Sequence, residues 1–514
     1  MTISNYSKVL ALKTHSKTAI YIVLILGVLT FTFATFAKDD RYHTLPGGIN
    51  GHISMLSIAI SDLNYGLTGY FYYWKVNRAL HEGINWKELR GASKSVSINK
   101  PLDPELWNKA IQKALHVENV TSEGTHALIR EDKGLADYYK LAFRIFGYKI
   151  ESFFYFYFLL LSVSVLIFLF TCYKQTNLLN ILLIYLCSHF VVVALAPKIG
   201  FQLQTIHNDR FIPALSILPM LYLSQLILRN QKLTPVTLIG AGIQIWILML
   251  AIHIRSSAIY QLLFICAIVV LAILWNWIKT SKAGRYTFNK IRFWPLGLLF
   301  LGFFFLKLHL LLGLHPSYND VTAYHLFWHP AYEGLGAHPD SWDKYRIAYG
   351  DEASFHFVER RLREKTGSPW TDRAGYEIFE SILKEEYFRI LKEDPRFVIE
   401  NYLYKLILFF KVYFSSSFKI LNSSSLGAID HLLKLELLCA IALGSLLAGK
   451  SYLKRWLKYL YILLLGLSFS LLPGIFAMPT PFLIIDPALV LTFIIYFVIS
   501  GGICWGVQMV ASKV

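Results

Sequence analysis

Two adjacent carboxylates, Asp39 and Asp40, follow directly on an apolar run that ends at Ala37. At the point where a chain leaves the hydrocarbon, such a pair costs desolvation energy and wants a partner. Arg41 is one partner, in a solvated turn. The sharper reading is a general base or metal-binding carboxylate at the depth of a lipid headgroup, and Asp62, in the stretch SIAISDLNYG, competes for that role.

A second group of polar residues is denser. Between Asn319 and His356 the chain carries Tyr324, His325, Trp328, His329, Tyr332, Glu333, His338, Asp340, Trp342, Asp343, Tyr345, Asp351 and Glu352. Aromatic faces beside carboxylates and imidazoles suit a sugar, because rings cover C–H faces while acids and imidazoles bind hydroxyls. Trp328, His329, Tyr332, Glu333 and His325 are the candidates for that contact. His325 and His329 are also spaced as a zinc pair on one helix face, but no HExxH surrounds them and Pro330 is expected to stop a helix there. A hydrogen-bonded structural cluster is the plainer alternative.

The third group is cationic. His207 and Arg210 lie in a short loop, Arg255 in another, and Lys307 near the end of an apolar run that also holds His309. Cations at this depth are what a lipid phosphate or pyrophosphate needs, although any lysine near a helix end can also snorkel to the headgroups. Glu131, Asp132, Lys133 and Asp137 read as an ion-paired, capped helix start.

The position of Asp39-Asp40 resembles that of the acidic pair in the GT-C superfamily of polyprenyl-phosphate-sugar glycosyltransferases, which follows the first membrane span. Arg41-Tyr42 is similar to the run seen there in several members. The resemblance implies a polytopic helical enzyme that moves a sugar from a polyprenyl-phosphate-linked donor to a lipid or glycan acceptor on the outer leaflet. Asp40 would then be the base, with Asp39 or Asp62 as helper. Arg210, Arg255, Lys307 and His207 would hold the phosphate, with a divalent metal ion left open. Three rivals stand beside it: an O-antigen ligase or polymerase type of enzyme, resting on the late loop's histidines and on Arg346, Arg360 and Arg361; a flippase or transporter of lipid-linked glycans; and a non-catalytic scaffold subunit.

The elements that must position these residues are written in the composition. The chain of 514 residues is 55% hydrophobic, with 16% charged residues and a mean hydropathy of +0.46, too apolar for a soluble globular domain. Apolar runs of spanning length fall at about 19–37, 152–172, 178–196, 212–228, 236–253, 258–278, 293–314, 432–449, 459–476 and 483–506, which predicts an all-α bundle of about ten spans. The first, preceded by Lys8, Lys13 and Lys17, reads as a retained signal anchor.

With the N-terminus in the cytoplasm, every inner connection is basic and none holds Asp or Glu, from Lys174 through Arg229 and Lys232, then Lys279–Arg292 and Lys450–Lys458, to Lys513. The net charge of +17 is therefore topological, which excludes nucleic acid as the partner. The same pattern suits a bacterial inner membrane, with both termini cytoplasmic and the large loops periplasmic.

Segments 1–37, 38–150, 151–314, 315–431 and 432–514 are thus expected to be the first span with its cytoplasmic lead, a first outer loop, spans two to seven, a second outer loop, and the last three spans. Both loops contain helical patterns, at 103–115 and 134–148 and at 352–365 and 372–393. Residues 402–418, broken by Lys405 and Lys411, read as an interfacial helix on the outer face. Cys172, Cys187, Cys266, Cys439 and Cys504 all lie in apolar runs, so no disulfide framework is expected.

Overall fold

The computed structural model describes residues 3–38, 43, 50–66, 72–84, 103–117, 133–195, 212–282, 293–312, 327–367, 376–422, 428–477 and 485–511, and within them the chain is all-helical. Asp39, Asp40, His207, Arg210 and His325 lie outside the described residues. Among the described residues, eight helices are long and apolar enough to cross a membrane. They are Ser16–Phe36, Ser152–Cys172, Thr176–Val193, Pro235–Ile254, Ser256–Leu274, Trp294–Leu312, Tyr452–Phe476 and Asp486–Val510. Two shorter apolar stretches, Ile212–Leu228 and Glu436–Ala448, coincide with the fourth and eighth runs of the sequence. The protein is a polytopic helical membrane protein.

Helix α1 (Ile3–Phe36) enters the bundle, and among the described residues of the first large loop it is followed by α2 (Asn50–Tyr65), α3 (Tyr73–Ile84), α4 (Pro104–Leu115) and α5 (Gly134–Phe146). Helix α4 starts where Asp103 and Pro104 require it: the Asp103 carboxylate accepts from the Glu105 N–H at 2.9 Å, and proline at the first helical position gives up an N–H that has no helical partner. Gly147, at φ 88°, ends α5 in a conformation that costs glycine least.

The membrane layer continues with α6 (Ser152–Cys172), α7 (Thr176–Leu195), a 3₁₀ turn at Ile212–Ser216, α8 (Ile217–Leu228), α9 (Pro235–Ile254), a second 3₁₀ turn at Ser256–Ile259, α10 (Tyr260–Lys282) and α11 (Trp294–Leu312). A capping box between Thr234 and Thr237, with Pro235 behind it, opens α9. Aromatic contacts knit the bundle: Phe33 of α1 stacks on Phe154 and meets Phe158 edge-on, and Phe36 meets Phe190.

The second large loop folds around its own core. Helices α12 (Trp328–Leu335), α13 (Ser341–Tyr345), α14 (Asp351–Thr366), α15 (Tyr376–Glu393) and α16 (Pro395–Asn422) bury Tyr332, Leu335, Val358, Phe379, Leu383, Ile390 and Phe397 against one another. Helix α14 stops at Gly367, in the left-handed region at φ 71°, as its sequence predicts. The expected stop at Pro330 does not occur. Pro330 sits in the first turn of α12, where a missing N–H breaks no helical hydrogen bond.

The expected loop at 450–458 is not met either. Helix α17 (Ala428–Phe476) runs unbroken for 49 residues through both the eighth and ninth apolar runs, about 74 Å at 1.5 Å per residue, against about 30 Å of hydrocarbon. These two runs therefore share one helix and do not turn back on each other. Helix α18 (Ile485–Ala511) packs along it, with the Ser445 hydroxyl donating to Ser500 and the Trp456 indole donating to the Phe497 carbonyl. Residues 402–418 are helical within α16 and are not among the eight spans.

Candidate functional site

The first loop and the membrane helices meet in a cluster of buried charges. Asp62, one turn from the end of α2, receives Lys133 and Lys140, each with Nζ 3.3 Å from Oδ2. Lys140 also lies 2.7 Å from Asp137 Oδ1, one turn earlier on α5. The other oxygen of Asp137 accepts from His253 Nε2 at 2.8 Å and stands 3.3 Å from His309 Nε2. These histidines occupy the last turns of α9 and α11, so three helices from distant parts of the chain converge on one carboxylate.

The local sequence makes this approach feasible at Gly134. A Cβ there would lie 2.1 Å from the His253 carbonyl carbon, 2.2 Å from its oxygen and 2.3 Å from the Ile254 nitrogen. Only a residue without a side chain lets the start of α5 touch the end of α9. Once in contact, Asp137 is three residues along the same helix, on the side that faces His253.

The electrostatics balance within the cluster. Burial alone would raise the Asp137 pKa. Hydrogen bonds from His253 and His309, with the ammonium groups of Lys140 and Lys133, outweigh it and hold the carboxyl well below the usual carboxylate range. Lys140, also desolvated, is nevertheless raised by the Asp137 and Asp62 charges. Two carboxylates thus face two ammonium groups, the arrangement that makes charge burial tolerable. His309 differs from its neighbours in leaving 55% of its side chain exposed.

The expected ion-paired helix start is met at Lys133 and Asp137, with partners that reach beyond the helix itself. Lys133 caps α5 without a side-chain bond and reaches back to Asp62 instead, while Asp137 turns to the histidines. Arg255 caps the end of α9 through its N–H to the Ala251 carbonyl, two residues from His253. Lys307, exposed, places its Nζ 5.5 Å from the centre of the Phe303 ring, two residues before His309. Asp62 thus belongs to the cluster, and Arg255 and Lys307 each lie two positions along the chain from one of its histidines.

The second-loop candidates form a separate centre. Glu380 of α15 accepts the N–H groups of Phe327, Trp328 and His329, each at 2.8 Å, and so caps α12 from a neighbouring helix. Glu333 is buried, bonded to Ser354 at 2.5 Å and to His329 Nε2 at 3.0 Å. Tyr332 is buried in the core beside Phe357. Trp328 leans on Tyr387 and Phe388. Glu333 and Tyr332 have no surface for a ligand and support this shell from beneath, and the Trp328 ring is engaged by its neighbours.

Sequence reasoning passed over His253 and gave His309 only a place beside Lys307. Their contacts with Asp137 span 116 and 172 positions. The available signal was titratable groups at the ends of two apolar runs, His253-Ile254-Arg255 and Lys307-Leu308-His309, which belong at one membrane boundary.

Comparison with protein-family models, with curated proteins and with solved structures gave no match.

Proposed function

We propose that this protein is a glycosyltransferase of the cell envelope, moving a sugar from a polyprenyl-phosphate-linked donor to a lipid or glycan acceptor at the outer face of a bacterial inner membrane. One observation carries the reading. The cluster of Asp62, Lys133, Asp137, Lys140, His253 and His309 concentrates charge where first-loop helices meet the ends of two spans, a costly placement that is retained where a polar substrate must be handled at the membrane boundary.

In this reading the acceptor hydroxyl gives its proton to Asp40 as its oxygen bonds to the anomeric carbon. The bond from that carbon to the phosphate oxygen breaks, and its electron pair leaves with the polyprenyl phosphate. Arg255 and Lys307, flanking the cluster, take up the charge that develops on the leaving phosphate. Asp62 holds Lys133 and Lys140 in place and keeps the first loop docked on the spans.

The test is transfer of labelled sugar by the purified protein. Wild type should transfer, Asp40→Asn should abolish transfer, and Asp62→Asn should reduce it. Transfer undiminished in Asp40→Asn would remove the base assignment, and no transfer from any polyprenyl-phosphate donor would remove the class.

A further inference from the structure

We infer that Asp137, His253 and His309 form a binding site for a divalent transition-metal ion, with zinc the ion the donor set favours. The inference does not rest on the sugar-transfer reading. Two imidazoles and one carboxylate, each offering one ligand atom, gather with those atoms all within 4.8 Å of one another. Asp137 Oδ2 stands 2.8 Å from His253 Nε2 and 3.3 Å from His309 Nε2. Ligands bound at about 2.0–2.1 Å in a tetrahedral site lie about 3.3 Å apart, so a small opening of the triad admits the ion.

Several features go beyond the coincidence of three side chains. The ligands sit on three different helices, so none depends on a flexible loop for its position. The two imidazole rings stand nearly perpendicular, at 87° with centroids 5.7 Å apart, which lets both Nε2 atoms address one carboxylate oxygen without the rings colliding. Lys140 is engaged on the opposite oxygen, Oδ1, and so orients the carboxylate from behind while leaving Oδ2 for the ion. Gly134 holds α5 against the backbone of His253, fixing the distance between carboxylate and imidazole.

Three protein ligands leave one tetrahedral position open, and the exposure of His309 places that opening toward the boundary of the protein. Asp62 and Asp137 are already balanced by Lys133 and Lys140, so the bound ion adds net positive charge. The ligand this favours at the open position is an anionic oxygen, from a phosphate or a carboxylate.

The experiment uses the full chain in detergent, carrying an affinity tag free of histidine, stripped with chelator and equilibrated with zinc, then separately with cobalt. Metal per chain is measured by mass spectrometry, and the cobalt form by its visible absorption, whose intensity reports four-coordination. Wild type should hold about one ion per chain. His309→Ala, which alters an exposed side chain and spares the fold, should weaken binding by more than the roughly 10–100-fold seen for outer-shell losses. His356→Ala, an exposed histidine elsewhere, should bind as wild type does. Chelator-treated wild type and His309→Ala should melt together, which separates a lost ligand from a lost fold. Absence of bound metal in wild type, or wild-type affinity retained in both His309→Ala and His253→Gln, would overturn the site and leave a hydrogen-bonded Asp–His pair. Sugar transfer is not read in this experiment, so its failure and that of the transfer reading are separate results.

Discussion

Replacing Gly134 by alanine tests how the whole cluster is held. In an ordinary helix this exchange stabilises by up to about 1 kcal/mol, because glycine loses more backbone freedom on folding. Here the new methyl would meet the His253 carbonyl carbon at 2.1 Å and its oxygen at 2.2 Å, against backbone that cannot rotate away. Restoring a contact of about 3.3 Å requires α5 and α9 to separate by about 1 Å, and overpacking of this kind costs about 1–3 kcal/mol. The same displacement lengthens the 2.8 Å bond between His253 and Asp137 beyond hydrogen-bond range, forfeiting about 1.5–3 kcal/mol more for a bond to a charged group. Set against the helix gain of up to about 1 kcal/mol, the expected net loss is about 1.5–5 kcal/mol, read as a lowered melting temperature in detergent, with metal affinity falling in parallel. A Gly134→Ala protein as stable as wild type, or more stable, would refute the close approach of α5 to α9.

Further outcomes follow from other contacts. Asp62→Asn leaves Lys133 and Lys140 sharing one carboxylate, and removing one partner of a buried ion pair costs about 3–5 kcal/mol. Adding Lys140→Met should recover part of that loss in a double-mutant cycle, and strict additivity would deny the coupling. Glu380→Ala strips three N–H groups at the start of α12 of their acceptor, at a cost of about 1–3 kcal/mol. Faster proteolysis of the second-loop unit should follow, and an unchanged cleavage rate would argue against this cap. Burial lowers the Lys405 pKa to about 7, outside the eight spans, where its Nζ donates to the Ile475 and Ala477 carbonyls. An unfolded lysine stays protonated to about pH 10, so between pH 7 and that point the folded state binds fewer protons and gains stability as pH rises. Wild type should therefore gain on Lys405→Met by about 2–3 kcal/mol from pH 7 to pH 9, and a difference that does not change with pH would sink the assignment.

Local signals hold at several points where one residue type decides the backbone. Asp103 with Pro104 starts α4, Gly367 ends α14, and the long apolar runs reappear as helices. Two misreadings have physical causes. Pro330 breaks a helix only where its missing N–H would have been used, and in the first turn it is not. The basic run at 450–458 predicts a reversal because positive charge marks a membrane face. Yet its lysines, arginine and leucines are good helix formers, and no glycine or proline interrupts them. The candidate site was the least legible part. Asp62 could be named from its place in the first loop, but Asp137, His253 and His309 become one object only when α5, α9 and α11 are packed.

Helix α17 has a mechanical consequence. It is gripped at Gly444 and Leu447 by Tyr21 and Lys17 of α1, and at Ile475 and Ala477 by Lys405 of the second-loop unit. From Leu447 to Ile475 the chain advances 28 positions, a strut about 42 Å long at 1.5 Å per residue. A pivot of about 5° at the α1 grip carries the other end through about 4 Å, more than a hydrogen bond can follow. The second-loop unit therefore cannot shift by that much while Lys405 keeps its carbonyls, unless the membrane bundle tilts with it.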